Sequence, residues 1–195
     1  MGCILSYIHS SIDYVDKYNL AHSDDKINII ILTEYFKTET LSNLLWLAIL
    51  FRHQDWFETI VKAVDSDQEK REKALDSLIA MKIANYPITV EKTPRELNFR
   101  NLLYKAIHAQ TDKDTLKFLD DYLRRWYDGL RKTGYNYNDS HLKQQENAKD
   151  TCSFVGYWCF EAAAVVHLKD IGESNLHRFI HYPKDRAEYA RNNRQ

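Results

Sequence analysis

The sequence predicts an all-α fold, an antiparallel multi-helix bundle, on three observations. Apolar residues recur at spacings of three and four almost from end to end, the period of a helix with one buried face. Five Gly and three Pro in 195 residues are too few for an all-β chain, which needs turn residues roughly every 8–12 positions. Helix-start signals also punctuate the chain. With 44% hydrophobic and 13% aromatic residues, there is enough apolar material for a core, which excludes a solvated coil. One domain over 1–195 is expected, divisible into an N-terminal helical part (1–90) and a C-terminal part (94–195).

The pattern begins at Ile4, Ile8, Ile12 and Val15, and resumes after a Ser23 N-cap through Ile27, Ile30, Ile31 and Tyr35. From Thr40 through Leu41, Leu44, Leu45, Leu47, Ala48 and Phe51 the chain is so apolar that a central helix buried on most sides is predicted. Asp55 to Val64 is amphipathic through Phe57, Ile60, Val61 and Val64. Ser66 and Glu69 form a capping box for a helix expected to run to about Asn85. Pro87 and Pro94 break the pattern, with only Ile88 to Val90 suited to an extended chain. Thr93, Pro94 and Glu96 then supply an N-cap, an N1 proline and an N3 glutamate in order. Thr111 and Asp114 open a helix through Leu116, Leu119, Tyr122, Leu123 and Trp126, expected to stop before Gly129 and Gly134.

GYNYNDS reads as a loop, followed by a short polar helix over 141–149. Nearly every position from Thr151 to His167 is apolar, which predicts a buried helix over about 151–168. Gly172 marks a turn, Ser174 to Ile180 a short helix, and Pro183 the start of the last helix, through Ala187 and Ala190.

Lys and Arg number 27 against 28 Asp and Glu, a net charge of −1, so the chain lacks the overall positive field that binds phosphate backbones. No nucleic-acid partner is expected. The longest apolar run, Leu44 to Phe51, falls well short of the roughly 18 residues that span a bilayer, and no membrane partner is expected either. MGCILS matches a myristoylation pattern at Gly2 with Cys3 as a second acylation site. Because Ile4, Leu5, Ile8 and Ile12 continue directly into a helical period, a helix start is preferred there to a lipid anchor. No secretory signal is expected. Cys3, Cys152 and Cys159 cannot form a complete disulfide set, which suits a reducing cytoplasm. Cys152 and Cys159, seven apart in a predicted helix, would lie about two turns apart and too far for a bridge.

Glu161 stands out as an acid inside YWCFEAAAVV, where an unpaired charge would cost several kcal/mol. It needs an Arg, His or Tyr partner as a structural residue, or serves as a general base whose pKa burial raises. The structural reading is preferred, since no nucleophile or metal motif accompanies it. His177 and His181, at i and i+4, would face one metal if helical, with Glu161, His141 or His167 as a third ligand. They lack the internal Glu of H-E-x-x-H, and neither a metal nor another cofactor is expected. A helical metal-dependent hydrolase using Glu161 with His177 and His181 is the alternative reading. Asp139, Ser140 and His141 are adjacent in sequence, which suits helix capping better than a catalytic triad. Acidic residues cluster at Asp65, Asp67, Glu69, Glu72 and Asp76 and again at Asp112, Asp114, Asp120 and Asp121, while the tail is basic. An acidic face on a helical scaffold suits docking against a basic partner.

The segment FVGYWCFEAAAVVHLKDIGESNLHRFIHYPKDRAEYAR, with WYDGL and NDSH upstream, resembles the PoNi-type immunity proteins, bacterial antidotes to polymorphic-toxin nucleases. The resemblance rests on Gly156, Tyr157, Trp158, Phe160 and Glu161, the Ala162–Ala164 run, the acidic turn over 170–173, and Tyr182, Pro183, Asp185 and Tyr189. IGES departs from the acidic pair more usual in that turn. The resemblance implies an all-α, cytoplasmic, non-enzymatic protein that binds a cognate DNase-type effector, delivered by a type VI or another secretion system, and protects its producer. It assigns the signature residues to packing, with Tyr157 and Trp158 in the core. Partner binding is then expected on the acidic residues named above and on the 134–141 loop with Tyr135, Tyr137, Asp139 and His141, the oligomeric state being open.

Overall fold

The computed structural model describes residues 38–65, 71–88, 95–132 and 157–193. Contacts divide the chain into two units. Of the described residues, 38–48, 53–65 and 71 belong to the first, and 49–52, 72–88, 95–132 and 157–193 to the second.

Helix α1 (Thr38–Leu50) is buried at every position from Leu44 to Leu50, as its lack of a polar stripe requires. It ends near Arg52, whose φ of 58° is left-handed, and the His53 N–H returns to the Ala48 carbonyl. In α2 (Gln54–Asp65) the apolar stripe Phe57, Ile60, Val61 and Val64 is buried while Asp55, Glu58 and Lys62 are exposed.

The second unit contains α3 (Lys73–Ala80), a 3₁₀ helix (Arg95–Arg100) leading into α4 (Asn101–His108), then α5 (Asp112–Lys132), α6 (Phe160–Lys169), a second 3₁₀ helix (Ser174–Arg178) and α7 (Lys184–Asn192). The described residues form no strand, so the fold is all-α. None of their helices is long and apolar enough to cross a membrane. The three residues 109–111 fold α4 onto α5, its broadest contact, and α4 also receives α3 and α6. The 21-residue α5 organises the unit. It buries Thr115, Leu119, Tyr122, Leu123, Trp126 and Leu130 at helical spacing, each large apolar side chain stabilising by about 1.5–3 kcal/mol. Its start follows the sequence. The Asp114 N–H donates to Thr111 Oγ1 at 3.1 Å, and the Thr111 hydroxyl donates to Asp114 Oδ2 at 2.7 Å. Asp112 and Asp114 at one end and Arg131 and Lys132 at the other complement the helix dipole.

Several expected boundaries move. The helix expected from the Ser66 capping box to Asn85 begins at Lys73, since Glu72 is extended (φ −142°), and it stops at Ala80, before turns that bring Asn85 to φ 61°. Ser66 and Glu69 lie outside the described residues. Helix α5 does not stop before Gly129. It passes through, and a Cβ there would meet Phe99 Cδ1 at 2.6 Å, so Gly129 lets the Phe99 ring lie against the helix. Helix α6 begins at Phe160, and 157–159 within the helix expected over about 151–168 are not helical: the Cys159 N–H donates to the His181 carbonyl at 2.8 Å. Cys159 is buried but precedes the helix, so the helical spacing from Cys152 does not apply. Helix α6 ends on Asp170, left-handed at φ 56°, which makes the turn expected at Gly172. The helix expected over 174–180 is a 3₁₀ segment ending at Arg178, and Pro183 sits at the N-cap of α7. Residues 1–37, the 134–141 loop, the 141–149 helix and residues 151–156 lie outside the described residues.

Gly129→Ala must displace a ring that also stacks on Tyr122 at 5.8 Å. Overpacking costs about 1–3 kcal/mol and better helix propensity returns up to about 1 kcal/mol, so urea unfolding should show a net destabilisation of the order of 1 kcal/mol.

Candidate functional site

Glu161 lies in the first turn of α6 and is 3% exposed. Its Oε1 accepts the Tyr122 hydroxyl at 2.8 Å and Trp126 Nε1 at 2.7 Å. These donors stand four residues apart on α5, one above the other on its buried face. Burial, reinforced by the Glu161 charge, pushes both the Tyr122 phenol and the Cys159 thiol well above their ordinary values. Neither is a ready proton donor or nucleophile.

A second buried carboxylate stands nearby. Glu72 Oε1 accepts Arg100 Nη1 at 3.1 Å, with side chains 3% and 6% exposed. Burial raises the Glu72 carboxyl above its ordinary 4.5, Arg100 opposes the shift, and the charge of Glu161 adds to it. Among the described residues, Oε2 of Glu72 and of Glu161 has no hydrogen-bond partner. A third, Glu173, is 1% exposed and receives the Tyr182 hydroxyl on Oε2 and Arg191 Nη2 on Oε1 at 2.6 Å. These contacts tie the turn after α6 to α7. Glu72, Glu161 and Glu173 are each held by donors from elsewhere in the chain, Glu161 by a tyrosine and an indole.

The histidine pair does not share a helix face. The 3₁₀ segment ends at Arg178 and Phe179 is extended, so the rings part. His177 stacks on Tyr182 at 5.9 Å and His181 on Tyr127 at 5.0 Å. Among the described residues no group of three or more His, Cys, Asp or Glu is placed to hold a metal ion.

Helices α4 to α6, with most of α3 and the start of α7, fall in the part of the chain that a family model matches. Residues 76–186, more than half of the 195, match the model described as "PoNe immunity proteins (PoNi), C-terminal". The chain belongs to the PoNi family. No curated protein and no solved structure matches it.

The PoNi signature divides between core and surface. Glu161, Tyr182 and Pro183 are buried, Tyr157 and Phe160 are half-buried, and Asp185 is exposed. Trp158, expected in the core, is 45% exposed, because the chain at 157–159 is not helical and buries Cys159 instead. Gly156 lies outside the described residues.

The described acidic candidates differ in exposure. Glu72 and Asp76 are buried, at 2% and 0% exposed, and so are removed from the exposed acidic surface expected of them. Asp65 is exposed and lies 3.6 Å from Arg71. Asp120 is bound by both Arg124, at 3.1 Å, and Arg178. Asp112 and Asp114 are exposed at the start of α5, and Asp121 is half-buried. Asp67, Glu69, Tyr135, Tyr137, Asp139 and His141 lie outside the described residues. Glu173 was missed as a buried anchor. Its signal was an acid four residues after the basic end of α6, beside an apolar Ile171.

Glu161→Ala leaves two buried donors without an acceptor and should destabilise the fold by about 3 kcal/mol in urea unfolding. Glu161→Gln keeps an acceptor for both and should cost less than about half of that.

Glu72 gives a pH dependence. A carboxyl whose folded pKa exceeds its unfolded one binds more protons in the fold, so its contribution is full below about pH 4.5 and is lost as pH rises through the raised value. The unfolding free energy of Glu72→Gln should therefore gain on that of wild type as pH rises from 4.5 toward neutrality. A difference independent of pH would contradict the assignment.

Proposed function

We propose that this protein is an immunity protein that binds a cognate DNase-type toxin effector and blocks its active site by occlusion. The effector would be delivered by a type VI or another secretion system, and the immunity protein would protect the producing cell from it in the cytoplasm. Membership of the PoNi family, over residues 76–186, carries this reading. The proposed action is binding without chemistry. In support of it, the buried carboxylates of Glu72, Glu161 and Glu173 accept from Tyr, Trp and Arg donors of the chain itself. A tightly cross-braced helical scaffold also suits inhibition by surface complementarity, because little ordering entropy is lost on docking.

The exposed acids Asp65, Asp112 and Asp114, with the half-buried Asp121, remain proposed contacts with a basic DNA cleft, together with Asp67, Glu69, Tyr135, Tyr137, Asp139 and His141. Charge complementarity there would act mainly on the association rate.

Co-expression of this chain with the toxin encoded beside it should restore growth, and the purified pair should form a complex that no longer cuts DNA. Continued killing, with no complex detectable at micromolar concentration, would overturn the reading.

A further inference from the structure

Where α6 begins, the chain entering it runs beside the chain entering α7. The Cys159 N–H donates to the His181 carbonyl at 2.8 Å, and the His181 ring meets the Tyr157 carbonyl at 3.3 Å. The immediate neighbours of the bonded pair, Trp158 and Ile180, are 45% and 83% exposed. This surface has a stiff backing. Tyr127 of α5 stacks on His181 at 5.0 Å, nearly parallel, and meets Tyr157 edge-on at 5.5 Å. Next to Ile180, the Phe179 ring has Arg178 and Arg124 over it, at 5.0 and 5.6 Å. Both guanidiniums bind the same carboxylate, Asp120, and both side chains are more than half exposed. Two positive charges share one negative, which leaves a positive rim beside an apolar centre.

We propose that Trp158 and Ile180, with Arg124 and Arg178 at their edge, form the docking face for the toxin effector, and that the effector meets it with an apolar pocket rimmed by carboxylates. The inference rests on the immunity reading above and adds to the acidic contacts proposed there an apolar and cationic one. Trp and Arg are the side chains that most often dominate binding energy when desolvated at the centre of an interface. The two arginines select an acidic partner surface by complementarity. Phosphates would satisfy the arginines too, but a nucleic-acid backbone offers nothing to an isoleucine that is 83% exposed, which favours a protein.

The test uses the full chain and the toxin encoded beside it, purified in a catalytically inactive form, with affinity measured by calorimetry and folding checked by thermal melts. Ile180→Asp and Trp158→Ala should melt like wild type yet bind about tenfold more weakly or worse. Arg178→Glu should weaken binding by about tenfold and reduce its dependence on salt. Tyr189→Ser, at the exposed aromatic that packs on Phe51 instead, should change affinity by less than about twofold. If wild type binds and protects while Ile180→Asp and Trp158→Ala bind as tightly as wild type, the docking face is wrong and the immunity reading stands. If wild type itself neither binds nor protects, the immunity reading fails. Wild type that sediments as a dimer which Ile180→Asp dissociates, or that binds duplex DNA through Arg178, would likewise overturn the assignment to an effector.

Discussion

The C-terminal unit depends on one constraint, the need of the Glu161 carboxylate for donors inside an apolar helix. Its Oε1 takes the Tyr122 hydroxyl and the Trp126 indole together, so α6 can sit against α5 in only one register. A shift of α5 by one residue would turn both donors away and strand a charge in a medium of low dielectric. The Glu72–Arg100 pair extends the same logic to the chain before α3 and to the first 3₁₀ helix. Glu173, with Tyr182 and Arg191, extends it to α7. Buried ion pairs add little net stability over apolar packing. What they specify here is which helix faces meet, since a misregistered core leaves them unsatisfied.

That division of labour explains how the unit can present a binding surface. The carboxylates that look chemically active in the sequence are consumed in bracing, and their tyrosine donors, Tyr122 and Tyr182, rise in pKa through burial rather than becoming reactive. The chain between the braces is left to face outward. At 157–159 it is not helical, and the backbone bond from Cys159 to His181 aligns two segments whose neighbouring side chains are exposed. A PoNi protein built this way offers a fixed apolar and cationic surface on a scaffold that need not rearrange.

Local chemistry was legible in the sequence. The Thr111–Asp114 box, the apolar α1 and the amphipathic α2 follow from short-range spacing, and an acid at position 161 inside an apolar run demands a partner. What could not be read depended on residues distant along the chain. Tyr122 and Trp126 lie 39 and 35 residues from Glu161, Arg100 lies 28 from Glu72 and Arg191 lies 18 from Glu173. Without those partners, Glu72 read as part of a solvated acidic run. The start of α6 was misplaced for the same reason. Apolar content from 151 onward suits a buried helix, and only the bond to the carbonyl of His181 shows that the chain is not helical at Cys159. Trp158 then moved from core to surface with it.

Hydrogen–deuterium exchange of the full chain, alone and saturated with the inactive toxin, bears most directly on the claim that buried carboxylates brace the scaffold while the α6 and α7 entries bind. The amides of α5 and α6 around Tyr122, Trp126 and Glu161 should exchange slowly in the free protein and stay unchanged in the complex, while residues 157–158 and 178–181 gain protection. Fast exchange around Glu161 in the free protein, or protection gained elsewhere with none at 157–158 and 178–181, would contradict it.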